Sequence, residues 1–293
     1  MIDQSKWENI LKFRQLTYKK GIENSFNSKL NQKSIIHRIG ENDKVKAIDH
    51  LFEEQINLFK LRMSYSAMVF EFSFLKLNEV WPYWDIKPYS YALLSDNKAL
   101  IDRYAYLPID DHIIYKNPKD GVPRGFNYTV QGLLRENNSL IKRGLGAFQK
   151  DIDQKKSIGF HKAHIACTEA IASKDLVAIK SALQNFEKGR LKNVAVRADI
   201  CENVISFFPI VYAKIAWMKG LEVDPQSKYM PLELLEVKPL EEYTIPYWFL
   251  RDYYREKGID WRYDPIHPEL QDWDNDPENP NRSKGGFFKN IFT

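Results

Sequence analysis

Residues 42–80 read NDKVKAIDHLFEEQINLFKLRMSYSAMVFEFSFLKLNEV, and their spacing decides the fold class. Val45, Ile48, Phe52, Ile56, Phe59, Met63, Ala67, Phe70, Phe74 and Leu77 follow one another at gaps of three or four, the repeat of one helix face. A second stripe of Leu58, Leu61, Tyr65, Val69, Phe72 and Leu75 joins it in the second half. Two apolar faces on one helix require other helices around it. The stretch predicts one continuous helix of about nine turns. Trp81-Pro82 ends it, because proline disfavours helical geometry in the residue before it.

Usage across the 293 residues agrees with an all-α fold: 26 Leu stand against 12 Val and 5 Thr. Hydrophobic residues at 44% and charged residues at 28% exclude a disordered chain. The 43 basic and 39 acidic side chains leave +4, too small a margin to imply nucleic acid. Two cysteines, Cys167 and Cys201, cannot build a disulfide framework and point to a reducing compartment. The opening MIDQSKWENILKFRQLTYKK lacks the apolar core and cleavage site of a signal peptide. No apolar run approaches the roughly 20 residues of a membrane span. These features predict a soluble cytoplasmic protein with no membrane partner.

Further helices follow with ordinary punctuation. Residues 3–20 are amphipathic and stop at Gly21. Ser95-Asp96 can cap a helix carrying Leu100, Ile101 and Tyr104, stopped by Pro108. Residues 129–147 give a weaker, glycine-interrupted helix, with Gly144-Leu145-Gly146 as a loose end. Ile158 to Ala172 and Leu176 to Phe186 form a hairpin in which Asp175 caps the second helix. Val194 to Lys219 is helical, with Pro209 kinking or splitting it and Gly220 ending it in a left-handed conformation. A last helix runs from about Ile245 to Lys257. Pro- and Gly-rich stretches at 108–128 and 260–286 are irregular, the first separating a half at 1–128 from one at 129–293 around one continuous core. No fixed period recurs strongly enough for a solenoid.

Chemistry-bearing patterns are sparse. His161, His164 and Cys167 stand three and three apart on a helix, and the first two could share a metal. Cys167 has rotated about 240° from His161, away from a common ion. A core role fits the trio better, and no metal or cofactor is expected. No Walker loop, G-x-G-x-x-G or G-x-S-x-G setting occurs, and no residue is assigned a catalytic role. Glu53-Glu54 and Glu241-Glu242 read as solvated helix faces. The basic groups at Lys12, Arg14, Lys19 and Lys20 and at Lys188, Arg190 and Lys192 are too interrupted for a nucleic-acid stripe.

Two places suit a protein interface instead. Trp81, Tyr83, Trp84, Tyr89 and Tyr91 cluster beside Pro82 and Pro88, either plugging a helical core or presenting contact area. Residues 260–280 hold seven acids and only Arg262 as a base. Within them Asp272, Trp273, Asp274, Asp276 and Glu278 set an aromatic among carboxylates that could steer a basic partner.

Two passages resemble bacterial immunity proteins. Tyr91-Ala-Leu-Leu-Ser-Asp-Asn-Lys-Ala-Leu-Ile-Asp-Arg-Tyr-Ala is similar to the "small residue, Ser-Asp, then helix" segment of all-helical members. Ala213-Lys-Ile-Ala-Trp-Met-Lys-Gly220-Leu-Glu-Val223, with Tyr229-Met-Pro231-Leu-Glu-Leu234-Leu235, resembles the C-terminal part of the immunity protein 49 family. The likeness covers roughly residues 90 to 257, and the helical immunity proteins of polymorphic nuclease toxins are a rival assignment. It implies a non-enzymatic cytoplasmic antitoxin that occludes a cognate secreted toxin, and it transfers no catalytic residue. The alternatives are a helical enzyme using His161 and His164, or a helical interaction scaffold. The expected partner-binding residues, taken from composition alone, are Asp272, Trp273, Asp274, Asp276, Glu278, Trp81 and Trp84.

Overall fold

The computed structural model describes residues 32–77, 87–108, 122–155, 158–190, 192 and 199–264. Eleven helices run through them: α1 Gln32–Phe52, α2 Ile56–Leu77, α3 Lys87–Leu94, α4 Lys98–Ala105, α5 Val122–Leu134, α6 Asn138–Asp153, α7 Ile158–Ala172, α8 Leu176–Arg190, α9 Phe207–Met218, α10 Leu232–Leu235 and α11 Trp248–Glu256. A 3-10 turn, Ile200–Asn203, precedes α9. The short strands β1 Thr244–Ile245 and β2 Arg262–Tyr263 pair in parallel, with Thr244 opposite Arg262. The fold is all-α, as the leucine-rich composition predicts.

The 42–80 stretch is not one helix. Glu54 adopts φ 58°, and the Gln55 N–H reaches back to the His50 carbonyl at 2.8 Å, ending α1. The chain reverses and α2 packs along α1. The apolar spacing carries across this turn because Phe52 and Ile56 flank it and both pack on the same core. The predicted two-faced burial does hold for α2, where every residue from Met63 to Phe74 is buried. Gly40 on α1 permits the close approach: a Cβ there would lie 2.8 Å from a ring carbon of Phe70.

The same turn recurs. Asp96, Glu136 and Lys174 have φ 57°, 53° and 57°, each between paired helices. After each comes a polar residue whose side chain caps the next helix. Asn97 accepts from Leu100 N, Asn137 from Leu140 N, and Asp175 from Val177 N and Ala178 N. Asp175 was legible as a cap. Ser95-Asp96 was misassigned, because the cap of α4 is Asn97, and α4 ends at Ala105 before Pro108 is reached. The 129–147 segment is parts of two helices, and Gly144 lies inside α6 against the backbone of Gly125 and Thr129. The predicted division at 128/129 falls within α5.

Helix α9 starts at Phe207, so Pro209 sits in its first turn, where the missing N–H costs nothing. Gly220 takes φ 71° and terminates it as expected. All residues of α9 from Phe207 to Ala216 are buried, as is all of α3. Helices α2, α3 and α9 thus form the centre, and α1, the α5–α6 hairpin and the α7–α8 hairpin pack around it. One cluster of buried side chains runs from Ile36 to Tyr254.

Candidate functional site

Asp96 is the meeting point of the elements nearest the centre. Its positive φ turns the carboxylate inward, to 3% exposure, rather than along α4. Lys214 Nζ from α9 lies 2.7 Å from Oδ1, and Lys60 Nζ from α2 lies 2.7 Å from Oδ2. The Lys238 N–H donates to Oδ2 at 3.2 Å. Lys214 also donates to the carbonyls of Leu234 and Glu236, and Lys60 to that of Lys238. Tyr243 Oη closes the turn by donating to the Ser95 carbonyl at 2.7 Å. Burial, set against the attraction of Asp96, brings the Lys214 ammonium down to about 8. The ion pair thus ties the turn between α3 and α4 to α9.

A second ionic cluster stands at Asp199, which caps the 3-10 turn by accepting from Cys201 N. Lys44 of α1 and Lys87 of α3 each donate to its Oδ2 at 2.9 Å. The two ammonium groups hold its carboxyl well below the usual carboxylate range against the opposing pull of burial.

The expected interface residues fall differently. Asp272, Trp273, Asp274, Asp276, Glu278, Trp81, Tyr83 and Trp84 lie outside the described residues, as does the helix predicted at 3–20. Tyr89 and Tyr91 are described, and they are core: Tyr89 meets Tyr104 edge-on at 5.3 Å and Tyr91 meets Phe207 at 5.5 Å. These two rings plug the helical centre. Glu53 and Glu54 are exposed, but they form a turn rather than a helix face.

His161, His164 and Cys167 are all buried on α7. His164 Nδ1 lies 2.7 Å from Tyr212 Oη, inside a cage of Phe126, Phe148, Phe160 and Phe186. Both His161 nitrogens are buried without a hydrogen-bond partner. Burial lowers the pKa of both histidines, the Asp151 carboxylate opposing it at His161, and raises the Cys167 thiol. Among the described residues no three His, Cys, Asp or Glu side chains are placed to hold a metal. No described helix is long and apolar enough to cross a membrane.

One surface feature was missed in the sequence. An open groove of about 420 Å³ runs between the ends of α2, α4 and α11. At its base Glu71, fully buried, pairs with Arg103 and accepts from Tyr254 Oη at 2.5 Å. Arg103 also donates to Tyr253 Oη at 3.2 Å. Leu75, Tyr106 and Lys257 stand at its walls. The signal was there in Val69-Phe-Glu-Phe-Ser-Phe74, a lone carboxylate in an apolar run that demands a buried cation.

No family model, curated protein or solved structure matches this chain. The chemistry of its own residues remains as the guide. The buried carboxylates of Asp96, Asp199 and Glu71 are each paired with cations from other elements. The groove, by contrast, is open and charged.

Proposed function

We propose that the chain is an immunity protein of the immunity protein 49 type, a non-enzymatic antitoxin acting in the cytoplasm. It binds a cognate antibacterial toxin and blocks it by occlusion. The carrying observation is the Asp96–Lys214 pair. Its two residues belong to the two separate passages that resemble immunity proteins, and the pair joins those passages in one buried contact. A rigid, mutually buried set of hairpins also suits an inhibitor, since a preorganised surface loses less entropy on binding.

The acid-rich segment with Asp272, Trp273, Asp274, Asp276 and Glu278, together with Trp81 and Trp84, is proposed to supply contacts to a basic toxin surface. Asp272, Asp274 and Asp276 changed together to Asn should slow association and weaken its salt dependence. Trp273→Ala should speed dissociation and cost about 2 kcal/mol of binding, as an interface anchor does. Surface kinetics at two salt concentrations, against a candidate toxin domain sought in the reading frames flanking the gene, would read both. Parental kinetics in both variants would remove the tail from the interface.

A further inference from the structure

The cage around His164 fastens the α7–α8 hairpin to its neighbours, and protonation would set a cation inside it. Phe126 of α5, Phe148 of α6, Phe160 of α7 and Phe186 of α8 close on the imidazole, with ring centres 4.1, 5.3, 4.7 and 4.4 Å away. Nδ1 meets the Tyr212 hydroxyl of α9, and Nε2 is buried with no partner, so a second N–H would find no acceptor. The titratable neighbours of His164 are His161 and the Cys167 thiol on α7 and Tyr212 on α9, none of them an anion at neutral pH. Beyond the Phe208 ring stands a further cation, Lys87 of α3, at 5.9 Å. The Asp151 carboxylate of α6 faces His161, with Oδ2 buried and without a hydrogen bond. It can answer only one of the two imidazolium charges.

The ion pairs of Asp96, Asp199 and Glu71 bind other elements, drawing their cations from α1, α2, α3, α4 and α9. Helix α7 packs more on α8 than on α5, α6 or α9. The hairpin reaches outward by the His164–Tyr212 bond and by Gln184, which donates to the Pro225 carbonyl at 3.1 Å. We propose that the histidine cluster is an acid-sensitive latch: proton uptake at His164 and His161 withdraws the α7–α8 hairpin from its cage while the centre on α2, α3 and α9 stays closed. Hairpins of this kind open as units at lower free energy than the whole fold. Once withdrawn, both imidazoles stand in water and titrate near pH 6.5. Between pH 7.5 and 5.5 His164 then favours withdrawal about tenfold, and His161 adds a smaller factor because Asp151 opposes the effect of burial there. The latch belongs to the fold itself and holds whatever the partner.

The chain carries its own probes, because Cys167 is buried on α7 and Cys201 is buried in the 3-10 turn ahead of α9. The full chain is labelled with dilute dipyridyl disulfide, which reacts in acid, and peptic mapping separates the two thiols. Dilute reagent makes labelling read the population of the open form. Each rate is divided by that of glutathione at the same pH. Cys167 labelling should rise about tenfold or more from pH 7.5 to 5.5, and at pH 5.5 it should run severalfold ahead of Cys201. His164→Gln, which leaves Tyr212 a partner and takes up no proton, should remove most of the rise. Equal labelling of the two thiols at pH 5.5 would mark global unfolding and overturn the proposal. So would the absence of a rise, or a rise unchanged in His164→Gln. Comparing the two thiols needs no variant, so it decides even if His164→Gln fails to fold. No toxin enters the assay, so its failure leaves the immunity reading untouched.

Discussion

At Asp96 one carboxylate faces two ammonium groups in the interior, and removing its charge would leave both uncompensated. Asp96→Asn is a clean probe, because asparagine tolerates the positive φ of this turn. It should cost about 3–5 kcal/mol in denaturant titration, the usual penalty for breaking a buried pair. Adding Lys214→Met should cost less than the sum of the two single changes, since the partners no longer strand each other. Lys214 was visible in the sequence as one position of an apolar helix, but its need for a buried anion went unread. Asp96 was seen only as a helix cap, because capping is local and the ion pair spans more than a hundred residues. His161 and His164 give a pH dependence of known sign. Burial lowers both pKa values in the folded chain, whereas in the unfolded chain they titrate near pH 6.5. Below about that pH the unfolded chain takes up protons that the folded chain refuses, so stability falls with acidification. Thermal unfolding between pH 7.5 and 5.5 should show this loss. His161→Leu should make it shallower, at a cost under about 1.5 kcal/mol near pH 8 because no hydrogen bond is lost.

Helix positions were largely legible and helix ends were not. The 158–172 and 176–190 pair was readable because Asp175 advertises its capping role. The break at Glu54 was hidden, because a three-residue turn leaves the 3–4 spacing of apolar residues intact. Four such turns, at Glu54, Asp96, Glu136 and Lys174, stand 38 to 42 residues apart, and a fifth left-handed residue, Lys155 (φ 57°), lies between α6 and α7. These turns are hard to read from sequence because an ordinary side chain, not glycine, sits at each left-handed position. Lys174→Gly tests that geometry. Relief of the left-handed strain, less the added freedom of glycine in the unfolded chain, should stabilise by up to about 1 kcal/mol. A loss of stability in thermal unfolding would contradict the turn assignment. Phe70, 2% exposed between α1 and α3, belongs to the same scale. Phe70→Ala should cost about 3–5 kcal/mol, and under 1 kcal/mol would show the ring to be poorly packed.

The helical hairpins pack on a centre that includes α2, α3 and α9, with interior charges that tie separate elements. Asp43 binds Arg62 at 3.0 Å and Tyr247 at 2.8 Å, Asp96 joins α2 to α9, and Asp199 joins α1 to α3. The fold class followed from composition and spacing because hydrophobic periodicity is a local property. The ionic ties and the groove at Arg103 did not, because each is assembled from separate hairpins. The most direct measurement mixes the purified chain with each candidate toxin domain found in the reading frames flanking its gene, and follows complex formation by size-exclusion chromatography alongside toxin activity. Immunity by occlusion predicts a stoichiometric complex and activity that falls to zero at equivalence. Full toxin activity with the chain in excess, and no complex, would contradict it.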